Sequence, residues 1–246
     1  MKNKFSAKIV AARVVGSAHR INNLPCQDYC QYARGKNLIA VLSDGAGSSE
    51  HGKIGARVLC KKLCDLLKNA DFKNIENEIK NAISAARQDL IIHRFNKSKD
   101  EHGLNDFAAT LVGVVYHQDR GIFFHIGDGA ALSIHPDNEV MVSRPENGYF
   151  SCETFFFTQN CWKSNLRFTR FNQAKVIFLM SDGVTSFAFR PDFQNIETKF
   201  INPINDFLSA EPNQAKAAKA LGNTLNTPKA QKLNSDDKTL VWIKVS

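Results

Sequence analysis

Two short apolar runs in this chain end in the same three residues, Val41-Leu42-Ser43-Asp44-Gly45 and Leu179-Met180-Ser181-Asp182-Gly183. Each reads as a buried β-strand that stops at an aspartate and turns at a glycine. A carboxylate at such a strand end stands at the rim of the core on a rigid main chain. The glycine lets the backbone come close to a ligand and offer a carbonyl oxygen. Two further acidic strand ends join them: Ile126-Gly127-Asp128-Gly129, and Ser235-Asp236-Asp237 ahead of the run Thr239-Leu240-Val241-Trp242-Ile243. Carboxylates drawn together from four distant places repel one another unless cations stand between them. An oxygen-only donor set selects Mg²⁺ or Mn²⁺ over zinc.

A chain of 246 residues with 43% hydrophobic residues can bury a sizeable core as one domain, 1–246, and no linker invites a split. The start, Met1 to Lys8, lacks an apolar signal-peptide core, and no run reaches the roughly 20 apolar residues of a membrane span. A cytoplasmic protein with no membrane partner is the expectation. The cysteines are spaced as Cys26/Cys30, Cys60/Cys64, Cys152 and Cys161. Neither close pair has the CxxC spacing of zinc or redox sites, so reduced thiols are expected. The net charge of +8 would suit a nucleic-acid binder, but the Lys and Arg residues are scattered and form no aromatic-interleaved stripe, so no nucleic-acid partner is expected. A positive surface around an acidic site would instead steer anionic substrates inward.

Along the chain, residues 5–15 and 38–43 read as strands flanking a polar loop that contains His19, Arg20 and Asp28. A helix after Gly52 places Ile54, Val58, Leu59, Leu63, Leu66 and Leu67 on one face. A second carries Ile75, Ile79, Ile83, Ala86 and Leu90 at helical spacing. A β meander follows over 108–116, 122–126, 130–135 and 139–142. Residues 143–172 show little periodicity and read as a long irregular excursion. A strand at 176–181, helix over about 205–225 and a last strand at 240–245 complete an α+β pattern. GxGxxG and GxxxxGK[ST] are absent.

Other candidate chemistry is weaker. Cys161-Trp-Lys-Ser-Asn-Leu-Arg167 has the Cys-x5-Arg spacing of a thiolate phosphatase loop. Such a loop wraps backbone N–H groups around phosphate and favours small residues, whereas Trp162, Lys163 and Leu166 are bulky; the spacing is read as coincidence. His125, inside an apolar strand, is expected to be a satisfied core residue, and His51 is ambiguous. No nucleophile elbow starts a Ser-His-Asp triad.

The ordered set Gln27-Asp28, Asp44-Gly45-Ala-Gly47, Ala109-Thr110-Leu111, Ile126-Gly127-Asp128, Met180-Ser181-Asp182-Gly183 and Asp236-Asp237-Lys-Thr239 resembles the metal-dependent serine/threonine phosphatases of the PPM (type 2C) family. The loop from His19 to Asp28 and the 145–158 stretch are most similar to a divergent bacterial branch. The resemblance implies a β-sandwich of two mostly antiparallel sheets flanked by helices, a four-layer α-β-β-α fold, with a two-metal Mn²⁺ or Mg²⁺ centre at one end. By that likeness Asp44 bridges both metals, Gly45 supplies a carbonyl, Asp182 and Asp236 hold the first metal, and Asp28 lies beside the second. Asp128 matches a position that helps hold a weaker third. A metal-bound water would be the nucleophile, with no catalytic side chain of its own. The partners implied are a phosphoprotein and a cognate serine/threonine kinase, and the chain is expected to be a monomer. Three departures stand out. Gln27 replaces an acidic residue, Asp44-Gly45-Ala46-Gly47-Ser48 shortens the usual glycine motif, and Asn23 stands where a phosphate-binding arginine is expected, leaving Arg20 or His19 to contact phosphate. The function expected is hydrolysis of phosphoserine and phosphothreonine. The alternatives are a hydrolase of a small phosphate ester and an inactive pseudophosphatase that binds phosphoproteins.

Overall fold

The computed structural model describes residues 7–95, 103–146, 154–190, 193 and 195–245. Ten strands occur among them: β1 (Ala7–Val14), β2 (Tyr29–Arg34), β3 (Leu38–Ser43), β4 (Leu111–His117), β5 (Arg120–Ile126), β6 (Ala130–Ile134), β7 (Val140–Ser143), β8 (Arg167–Asn172), β9 (Val176–Met180) and β10 (Lys238–Val245). The α-helices are α1 (Ser17–Ile21), α2 (Gly52–Leu67), α3 (Ile75–Phe95), α4 (Trp162–Asn165), α5 (Asp182–Ala188), α6 (Thr198–Ala210), α7 (Gln214–Leu225) and α8 (Pro228–Leu233). The strands form two five-stranded sheets, ordered β1-β10-β9-β6-β7 and β2-β3-β4-β5-β8, and every pairing within them is antiparallel.

The alternation of side chains along a strand builds the layers. In β3, Leu38, Ala40 and Leu42 face the other sheet and meet Ile177, Leu179, Val241 and Ile243. Ile39 and Val41 point the opposite way, onto Leu59 and Leu63 of α2 and Ile79 and Ile83 of α3. On the far side, Phe178 and Trp242 pack against Ile201 and Leu208 of α6 and Leu221 of α7. Two sheets enclosed by helices follow, with both faces of the central strands buried. That is why β3 and β9 read as unbroken apolar runs rather than as alternating ones.

Most expected elements occur near their expected bounds; the first two residues of the 5–15 strand lie outside the described residues, as does Cys152. Three readings need correction. The polar loop after β1 contains a short helix, α1. Leu66, assigned to the buried face of α2, is exposed at 49%. The described part of 143–172 is not an irregular excursion: β8 pairs with β5 along its length, and Phe157 and Trp162 are buried in the layer beneath α2 and α3. Among the described residues the cysteines 26, 30, 60, 64 and 161 carry free thiols, and no helix is long and apolar enough to cross a membrane.

Phe178 is wholly buried between the first sheet and its helices. Phe178→Ala is expected to cost about 3–5 kcal/mol and to lower the melting temperature by about 10 °C, measured by calorimetry. A change of a degree or two would mean that this layer does not pack as described.

Candidate active site

Strand register gathers the acidic residues. Tyr29 pairs with Ser43, which sets Asp28 and Asp44 side by side one step beyond the β2–β3 ladder. Thr110, ahead of β4, donates its N–H to the Asp44 carbonyl at 2.8 Å, and its Oγ1 accepts the Asp44 N–H at 3.1 Å. In the other sheet Ala130 and Leu240 both pair with Met180. This brings the turn holding Asp128, the start of α5 at Asp182 and the approach to β10 at Asp236 to the same end. A cavity of about 470 Å³ opens there, lined by His19, Asp44, Gly45, Thr110, Asp128, Thr154, Asp182 and Asp236 among others.

Close backbone contacts fix the two flanking turns. A Cβ on Gly183 would fall 1.9 Å from the Asp237 carbonyl oxygen, and one on Gly16 would fall 2.3 Å from the Asp236 carbonyl carbon. Only glycine permits these approaches, which pin the α5 N-terminus and the loop after β1 against the Asp236-Asp237 segment.

The carboxylates are electrostatically costly. Asp28 is fully buried and neither of its oxygens has a hydrogen-bond partner, although Thr239, Asp44 and Ser181 stand beside it. Burial first, opposed by those neighbours, pushes its carboxyl up to about 6. Burial and then the Asp128, Asp236 and Asp28 charges push Asp182 up to about 7, and its Oδ1 also lacks a partner. Asp44 is driven well above the ordinary carboxylate range by burial and by Asp28, Asp182 and Asp236. Asp128 is raised mainly by burial while accepting a hydrogen bond from Thr154 Oγ1 at 2.7 Å. Among the described residues no three acidic, His or Cys side chains are closed into a finished metal cage. Asp44, Asp128, Asp182 and Asp236 stand on the cavity wall and Asp28 is buried beside Asp44; the oxygens without protein donors, both of Asp28 and Oδ1 of Asp182, suit an oxygen-preferring divalent cation.

His19 and Arg20 diverge. His19 lines the cavity, with Nδ1 2.9 Å from Oδ2 of buried Asp237. Arg20 does not line it; its guanidinium donates to Asn226 Oδ1 at the exposed surface. Of the two residues expected to contact phosphate, the structure therefore sets His19 and not Arg20 on the cavity wall, because consecutive residues of a helical turn point about 100° apart. Asp237, which sequence reasoning passed over in favour of Asp236, proves to be a junction. Its Oδ1 accepts the Gly16 N–H at 2.8 Å and its Oδ2 the Gln27 N–H at 2.6 Å. Thr154, Phe156 and Gln159, also on the cavity wall, come from a stretch with no periodicity to flag them.

The remaining candidates stand apart. Cys161 is exposed, precedes α4 and does not line the cavity, while Arg167 pairs with Glu146 at 2.5 Å. His125 is buried on β5 with Nδ1 3.1 Å from Ser143 Oγ. Burial holds its imidazole well below the usual range, and its Nε2 has no partner, so it is a core residue only half satisfied. His51 packs on Phe107, ring centroids 5.4 Å apart.

Comparison with known proteins agrees with this arrangement. The family model described as Protein phosphatase 2C matches residues 15–226. A relative, serine/threonine-protein phosphatase 3 of Escherichia coli (strain K12), is 26% identical over 249 residues, covering 96% of this chain and 97% of its own. Among solved structures, the catalytic domain of the serine threonine protein phosphatase PstP in complex with two manganese ions superposes with a TM-score of 0.68 at 16% identity, covering 98% of this chain and 99% of that one. The S. agalactiae serine/threonine phosphatase does so with a TM-score of 0.68 at 15% identity, covering 98% and 100%. These last two show a shared fold.

The raised carboxyls set a sign for stability. Groups whose folded pKa lies above the unfolded value bind more protons when folded, so without cations they withdraw stability as pH rises from about 4 to about 7. Asp44→Asn removes the central charge. In chelator it is expected to raise the melting temperature at pH 7.5 by about 4 °C, a gain of about 1–2 kcal/mol, with the gain shrinking toward pH 4. An equal or lower melting temperature would show that these carboxylates do not repel one another.

Proposed function

The chain belongs to the protein phosphatase 2C family, and from that premise we propose that it hydrolyses phosphoserine and phosphothreonine in proteins at the acid-lined cavity. The observation that carries this reading is the convergence of Asp44, Asp128, Asp182 and Asp236 on one cavity, with Asp28 buried beside Asp44 and both its oxygens unpartnered. The donor set fits Mn²⁺ or Mg²⁺, and the related PstP domain was solved with manganese. In this reading Asp44 and the Gly45 carbonyl would serve both of two cations, Asp182 and Asp236 would help hold the first and Asp28 the second, and Asp128 would serve a weaker third. Bound cations would supply a water of lowered pKa and neutralise charge on the phosphoryl oxygens.

The chain's own residues do the rest. Rigid strand ends fix the carboxylates, so little reorganisation accompanies reaction. With Nδ1 beside Asp237 Oδ2, the His19 ring keeps Nε2 for a phosphate oxygen, to which it donates only when both ring nitrogens carry a proton, and this favours His19 over Arg20 for that contact. Cys161, exposed and off the cavity wall, has no part. The chain works as one catalytic domain and a cytoplasmic monomer, on a phosphoprotein made by a serine/threonine kinase. Retention of Asp44, Asp182 and Asp236 weighs against the binding-only alternative.

Purified protein is expected to release phosphate from p-nitrophenyl phosphate and from a phosphothreonine peptide with Mn²⁺, and to stop in chelator. Asp182→Asn should lower the rate by at least about 10²-fold. Turnover in excess chelator would end the metal reading; Mn²⁺ binding without turnover would favour the binding module, and turnover of small esters alone the small-ester hydrolase.

His19→Ala should raise KM for the phosphopeptide about 10-fold, whereas Arg20→Ala and Cys161→Ser should leave the kinetics near wild type. A defect in Arg20→Ala with a silent His19→Ala would return the contact to the arginine.

A further inference from the structure

The two sides of Asp44 are not equivalent. On one side stand Asp182 and Asp236, both on the cavity wall. On the other is the turn Gly45-Ala46, and against it lies Gln27. Gln27 is held at two places. Its backbone N–H donates to Asp237 Oδ2 at 2.6 Å. Its side-chain amide, oriented so that nitrogen faces the acceptors around it, donates to the Gly45 carbonyl at 2.8 Å and the Ala46 carbonyl at 3.2 Å.

This geometry bears on any cation that uses the Gly45 carbonyl. A carbonyl oxygen has two lone pairs, and the amide takes part of that capacity. The amide also turns the positive end of its dipole toward the place where a carboxylate would draw a cation in. On the Asp182 side, by contrast, an acceptor stands free: Asp182 Oδ1 lacks a partner. The remaining lone pair on Gly45 means that the carbonyl side is weakened rather than closed.

We propose that the centre is asymmetric: one divalent cation is resident on the Asp44, Asp182 and Asp236 side, and a second binds beside the Gly45 carbonyl only weakly because Gln27 donates to that oxygen. Occupancy of the second position, and with it activity, then follows the free cation concentration, which makes Gln27 a positioning residue that sets cation demand. This rests on the metal-dependent reading above.

The test is titration of the full chain with Mn²⁺ by isothermal calorimetry, which needs no turnover. The wild type is expected to show one tight site and a second weaker by about 10-fold or more. Gln27→Glu, which replaces the donor with a carboxylate, is expected to tighten the second site by about 10-fold, the scale on which residues next to metal ligands act. Gln27→Ala, which frees the carbonyl without adding charge, is expected to tighten it by a smaller factor and serves if the Glu variant does not fold. Two equal sites in the wild type, or a second site unchanged or weakened in Gln27→Ala, would overturn the asymmetry and leave the phosphatase reading intact. Absence of any Mn²⁺ binding would overturn both.

Discussion

Carboxylates forced into one partly buried pocket repel one another, and everything around this site is arranged to hold them there. A flexible loop would relax the strain by letting the charges drift apart. Here each acid sits within a residue or two of a strand end or helix start: Asp28 before β2, Asp44 after β3, Asp128 after β5, Asp182 opening α5, Asp236 before β10. The ladders that fix their positions run through central strands whose side chains are buried on both faces. Moving one acid outward means breaking register across a sheet, which would turn every side chain of that strand to the wrong face. Packing far from the cavity thus sustains a charge arrangement that local forces would disperse.

The pair Asp237-Lys238 carries that rigidity to the part of the site that is not a strand end. Asp237 ties the Gly16 and Gln27 N–H groups, the two ends of the loop carrying His19, to the start of β10. Lys238, fully buried, donates from Nζ to the Asn234 and Asp236 carbonyls at 2.7 Å each. Its ammonium is drawn below the usual range by burial, against the pull of Asp236 and Asp237. Buried charges survive when they are hydrogen-bonded, and here the bonds go to the main chain that presents Asp236. The same few residues therefore set the position of an acid and of the loop that brings His19 to the cavity.

The acidic strand ends were legible because they combine two strong local signals, an apolar run and an Asp-Gly stop. The sandwich was legible because continuous runs such as Leu38–Leu42 have few other ways to be buried. What stayed hidden depended on direction rather than on type. Asp236 and Asp237 are adjacent carboxylates, and only the entry angle of β10 decides that Asp237 turns inward onto backbone donors while Asp236 faces the cavity. His19 and Arg20 share one turn of a five-residue helix too short to show periodicity. β8 went unread because it is an edge strand: Arg-Phe-Thr-Arg-Phe-Asn buries Phe171 between the sheets and packs Phe168 toward the helices, leaving polar residues to dominate its pattern.

Charge distribution connects the site to its substrate. The chain carries a net +8, yet its cavity wall bears Asp44, Asp128, Asp182 and Asp236, with His19 as the basic side chain among the lining residues. A positive exterior would steer a phosphorylated chain toward the molecule over distances up to a Debye length, about 8 Å at physiological salt. Inside the cavity the sign reverses, and a phosphate dianion would meet carboxylates that already repel one another. On the proposed reading, cations relieve both repulsions at once, so cation binding precedes productive phosphate binding. A loosely filled second position, governed by Gln27, would then control substrate affinity as well as the reactive water, because the same vacancy that leaves Asp44 under-neutralised also leaves the phosphate facing an uncompensated charge.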